Sequence, residues 1–178
     1  MHVGTKKMAT AGLLVAFSVI MMMLSSVVES SSLFFIAAAS FCVGIAVREW
    51  GLRMGFAFLV SSVGLNFIAT PSKLYCFTLA CMGLYIWVSE WLWGRVADAK
   101  ELKRRGLILW IGKYIFFNLL YVPVLFLAPQ ILFTGRINGL FVTMMLLLGQ
   151  VALYIYDMAY HYVQAQVWGK LRGKLIQK

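Results

Sequence analysis

Charge is scarce in this chain. Only 12% of its 178 residues are charged, and just six are acidic. A soluble domain is about a quarter charged, so there is too little charge here to cover a water-facing surface. Cysteine is scarce too. Cys42, Cys76 and Cys81 are an odd number, they sit in apolar runs, and they have no zinc or redox spacing. A secreted disulfide scaffold is thereby excluded, and the three are expected to be small apolar side chains in helices. Also missing are G-x-S-x-G, H-E-x-x-H, a Walker loop and any Cys/His pair of protease spacing. An intramembrane peptidase needs its nucleophile and base at one depth. His161 belongs to one end of its apolar run, whereas Cys76 and Cys81 belong to the opposite half of theirs. The chain is expected to be no enzyme, with no catalytic residues, no metal and no cofactor.

What the chain has in abundance is apolar surface: 62% hydrophobic residues and a mean hydropathy of +0.87. Membrane lipid is the expected solvent. Six apolar runs are separated by short polar breaks, at residues 8–28, 33–47, 52–69, 74–93, 107–127 and 138–162. A spanning helix needs about 20 residues. Five runs meet that length or nearly so; the second, 33–47, is short, and is expected to extend into the serines, thin the bilayer or sit buried among the others. None of the runs alternates apolar with polar, as barrel strands do. Continuous apolar runs in lipid must be helices, because no backbone group can go unpaired there. The fold class expected is an all-α integral membrane protein, a six-transmembrane-helix bundle forming a single domain over 1–178. Residues 94–106 form its one sizeable loop, in which 97–105 suit a short interfacial helix, and residues 163–178 form a basic tail. The first run is expected to be a permanent helix, being longer than a signal-peptide core and lacking a convincing A-x-A site.

Sixteen basic residues against six acidic ones give a net charge of +10. In a soluble protein this excess suggests nucleic acid. Here position decides. Thirteen of the sixteen fall on one side of the implied topology, in the N-terminus, the 2–3 turn, the 4–5 loop and the tail; Lys73 and Arg136 fall on the other, and Lys113 lies inside a run. Cytoplasmic loops collect Lys and Arg, so both termini are expected in the cytoplasm (N-in/C-in) of a multi-pass protein of the cell membrane, with no nucleic-acid partner.

Polar residues inside or beside the runs are the candidates for function. On the outer side, Glu29 precedes three serines, Asn66, Lys73 and Tyr75 surround the 3–4 loop, and Arg136 and Asn138 surround the 5–6 loop, with Asn118 and Tyr121 deeper in run five. Two cations with amides and hydroxyls suit a small anionic or zwitterionic solute; the bland alternative is ordinary loop polarity. Gly12 and Ala16, four apart, leave a helix face that another helix can approach closely. That face serves either a partner subunit or packing within the chain's own bundle. Glu90 and Lys113 lie at similar depth and can pair, or Lys113 can snorkel to the interface. Asp157 and His161, at i and i+4, share a face near several tyrosines. They read as a proton relay or as members of an interfacial aromatic belt.

Certain stretches carry a resemblance. Lys6-Lys7 lead straight into the small-residue helix at 10–17. Ala37-Ala38-Ala39-Ser40, then Arg48-Glu49-Trp50-Gly51-Leu52-Arg53-Met54-Gly55, then Thr70-Pro71-Ser72-Lys73-Leu74 follow. Over roughly residues 5–93 the chain resembles the substrate-binding S components of energy-coupling-factor transporters, of a small Gram-positive branch. The resemblance implies a six-helix bundle with an outward pocket. It also implies a first-helix surface, here Gly12 and Ala16, that docks on a transmembrane coupling subunit driven by two ATPase subunits. Gly12 stands where the family usually has alanine. The function expected is solute binding for ATP-driven uptake of a small-molecule micronutrient. The alternative, from another class, is a non-transporting scaffold of the cell envelope.

Overall fold

The structure is a computed structural model, and it describes residues 4–98, 105–127 and 139–170. The described residues form helices and turns, with no strand among them. Among the described residues, six helices are long and apolar enough to cross a membrane. They are α1 (Thr5–Val27), α2 (Ser32–Trp50), α3 (Leu52–Ala69), α4 (Lys73–Asp98), α5 (Arg105–Leu127) and α6 (Gly139–Tyr162). A 3-10 turn, Glu29–Ser31, joins α1 to α2, and a π-helical segment, Val163–Trp168, continues α6. The chain divides into two units, Met1–Gly94 and Arg95–Lys178.

Helix ends depart from the sequence expectation where charge was read as a break. The second run, expected as 33–47, is a 19-residue helix. Arg48 and Glu49 stay in its last turn, and the chain turns instead at Gly51, whose φ of 88° and ψ of 168° only glycine adopts without strain. The Gly51 N–H closes on the Val47 carbonyl at 2.8 Å, and its own carbonyl accepts from Gly55 at 2.9 Å, so one residue ends α2 and begins α3. At Gly55 an added Cβ would fall 2.9 Å from the Val47 Cα, so the two backbones approach too closely for any side chain there. α4 runs past Gly94 to Asp98, taking in the first residues of the expected cytoplasmic loop. Residues 99–104 of that loop, with 128–138 and the tail beyond Lys170, lie outside the described residues.

In the first unit α2 is the most enclosed helix; every residue from Ala39 to Val47 is buried. α1 and α3 pack along it. Met22 of α1, Ile36 and Ala39 of α2, and Cys76 and Leu79 of α4 form a buried cluster, with Tyr75 and Val63 packed against it. Lipid tails are as apolar as these side chains, so close packing rather than transfer from water holds the helices together. The outward faces carry large apolar residues such as Leu13, Phe17, Phe34 and Ile68, as lipid contact requires. In the second unit α5 and α6 lie antiparallel: residues 113, 118 and 121 bond to 157, 150 and 145 in turn.

Candidate functional site

Of the expected solute set, Asn66, Lys73 and Tyr75 come together around the α3–α4 turn. Asn66 is fully buried; its Nδ2 donates to the Ser62 carbonyl at 2.8 Å, while its Oδ1 has no hydrogen-bond partner among the described residues. Lys73 is exposed and donates to the carbonyls of Phe67 and Thr70, with its ammonium 4.3 Å from the centre of the Phe67 ring. The last carbonyls of a helix lack intrahelical partners and carry the negative end of its dipole. Lys73 therefore caps α3. Tyr75 is half-buried against the Met22–Ile36 cluster.

Asn118 and Tyr121 belong to the second unit and hold α5 to α6. The amides of Asn118 and Gln150 bond to each other, and the Tyr121 hydroxyl donates to the Met145 carbonyl at 2.8 Å. Gly149 makes room for this: an added Cβ there would sit 2.5 Å from the Tyr121 ring. Gln150 escaped the sequence reading. The available signal was an amide in the middle of an apolar run, which in lipid must find a partner. The side chain of Glu29, and Arg136 and Asn138 entirely, lie outside the described residues.

The small-residue face of α1 is open. Gly12 and Ala16 are both exposed, and an added Cβ at Gly12 meets nothing within 4 Å. The buried stripe of α1 is a different one, Leu14, Ser18, Met22 and Ser25. Within that stripe Ser18 meets Ser62 of α3, hydroxyl to hydroxyl, at 3.2 Å. Among the described residues of the first unit, no helix covers Gly12.

The ionisable residues pair differently from the expectation based on depth. Glu90 accepts two hydrogen bonds from Arg48, at 2.7 and 2.9 Å, tying α4 to α2. Lys113 bonds both oxygens of Asp157, at 2.7 and 2.9 Å. Lys113 does not snorkel: its side chain is 7% exposed and that of Asp157 2%. Depth along a helix does not name a partner: Glu90 bonds Arg48 within the first unit, and Lys113 bonds Asp157 within the second. His161 sits beside the pair, Nε2 to Lys113 Nζ at 3.2 Å and to Asp157 Oδ2 at 3.5 Å. Trp110 lies 5.6 Å from the ammonium and stacks on Tyr154. Of the residues in this region, Tyr154 and Tyr162 are exposed, whereas Asp157 and Tyr160 are buried. Taking two charges out of water costs several kcal/mol per ion, and only close pairing offsets it. Lys113 on the carboxylate leaves the cluster arranged as an ion pair rather than as metal ligands.

No family model, no curated protein and no solved structure matches this chain.

Proposed function

We propose that the chain is the membrane-embedded, solute-binding subunit of an ATP-driven uptake transporter of the energy-coupling-factor type. One observation carries the reading: α1 presents Gly12 and Ala16 on an exposed face, flanked by exposed Leu13 and Phe17. A partner helix can approach closely there. The sequence has no nucleotide motif, so the energy of transport comes from partners, a transmembrane coupling subunit on this face and two ATPase subunits. The uneven distribution of basic residues supports a cell-membrane protein with both termini cytoplasmic. Single cysteines at positions 73 and 136 should then label from outside, and at 100 and 172 from inside. Labelling of 136 from the cytoplasmic side only overturns that orientation. The solute is a small anionic or zwitterionic molecule, received on the side of Lys73 and Arg136.

A second reading, the non-transporting scaffold, is favoured by a specific observation: Lys73, Asn118 and Tyr121 each bond to the protein itself. Native mass spectrometry of the purified chain separates the two. A reproducible adduct of one small-molecule mass, lost in Lys73→Ala or Arg136→Ala at unchanged protein yield, supports solute binding. A bare chain that still retains partner proteins supports the scaffold.

A further inference from the structure

We propose that Lys113, Asp157 and His161 form a proton-binding site, in which protonation of His161 releases Lys113 from Asp157 and so breaks the ion-pair link between α5 and α6, leaving the Asn118–Gln150 and Tyr121–Met145 bonds in place. An ammonium has three N–H groups. Three acceptors surround that of Lys113: Asp157 Oδ1 at 2.7 Å, Asp157 Oδ2 at 2.9 Å and His161 Nε2 at 3.2 Å. The third accepts only while Nε2 carries no proton. The ion pair is buried, whereas the His161 side chain is 44% exposed. The imidazole is thus the member of the cluster that lies at the surface of the chain.

Imidazole is the side chain whose charge changes between about pH 5 and 8. Once Nε2 is protonated it becomes a donor, and two cations share one carboxylate. Asp157 Oδ2 lies 3.5 Å from Nε2, one turn away on the same helix, so the imidazolium donates to it. Lys113, on the other helix, loses one acceptor outright and competes for a second. The aromatic face of Trp110 is close enough to receive the displaced ammonium. One proton is taken up from solvent and no other group changes charge. Among the described residues, Tyr114 and Tyr154 lie against the Trp110 ring and Tyr160 against the His161 ring, and the π-helical segment that follows α6 carries no charged residue. The direction follows from the geometry: a protonated Nε2 cannot accept from Lys113, so acid weakens the link. This device belongs to the chain alone and stands whether or not a solute is carried.

The chain has two histidines, His2 and His161. Full-length protein labelled with 15N in its imidazoles and held in nanodiscs gives two ring titrations, and His161→Gln shows which belongs to position 161. The proton affinity of His161 should fall at least threefold in Asp157→Asn, which removes the carboxylate, and rise at least threefold in Lys113→Gln, which removes the competing cation. Affinities agreeing within threefold across wild type and both variants overturn the proposal. A second measurement avoids substitutions in the buried pair. Hydrogen exchange of wild-type α5 and α6 amides around the cluster, corrected for the chemical rate, should lose at least tenfold protection between pH 8 and 5.5. α1–α3 should not change, and His161→Gln should abolish the effect. Protection that is the same at both pH values overturns the switch.

Discussion

The amides of Asn118 and Gln150 face each other across α5 and α6, each donating to the other's oxygen, at 3.4 and 2.8 Å. Replacing Asn118 removes the Gln150 amide's partner on α5, and replacing Gln150 leaves Asn118 only its bond to the Tyr114 carbonyl at 2.8 Å. Such interhelical bonds average about 0.6 kcal/mol in membranes and reach about 1.7. Asn118→Leu alone and Gln150→Leu alone should each lower stability by about that range. The double substitution should cost less than the sum of the two. Reversible unfolding in mixed detergent micelles measures the cycle.

Lys113 and Asp157 should show the same logic more strongly. Removing one partner of a buried ion pair costs about 3–5 kcal/mol, because the other charge is left alone. Lys113→Met should therefore sharply reduce the folded fraction. Lys113→Met with Asp157→Leu should recover much of it, since two apolar side chains suit the site. Thermal denaturation monitored by circular dichroism distinguishes rescue from further loss.

The docking face gives a prediction with the opposite stability signature. Ala16 is exposed. Ala16→Leu should leave the melting behaviour of the isolated chain within about 0.5 kcal/mol, as surface substitutions usually do. It should abolish co-purification of a transmembrane partner. A variant that unfolds in detergent would return this face to the chain's own interior.

Gly51 tests the α2–α3 turn. Its backbone lies in a region essentially reserved for glycine, where other residues cost about 1–3 kcal/mol. Nothing lies within 4 Å of an added Cβ there, so Gly51→Ala should destabilise by about that amount through backbone strain alone. Gly51→Ala at wild-type stability in urea or thermal unfolding would show the turn relaxing to another conformation.

The helices were legible in the sequence because lipid leaves an apolar run no other way to pair its backbone. Their ends were less so. Arg48 and Glu49 read as a break, but Arg48 is neutralised by Glu90 and keeps its helical turn, so the signal that mattered was Gly51 three residues later. The sites were legible only as residues, not as pairs. Asp157 and His161 fall on one face by spacing alone, while the partner they share, Lys113, is 44 residues from Asp157 and no periodicity points to it. Lys73 stood out as a cation on the wrong side for its charge. That the carbonyls ending α3 are within its reach needed the path of the turn.

α2 is enclosed by its neighbours along most of its length, yet its residues are apolar enough to cross a membrane unaided. The insertion machinery reads apolarity, not eventual surroundings. A nascent α2 can thus leave the translocon as an independent helix, pack first on α1, which precedes it, and exchange its remaining acyl-chain neighbours for protein when α3 and α4 have followed. Its assembly is a matter of displacing lipid rather than water. The order of synthesis, more than any single contact, decides when the interior of the first unit comes into being.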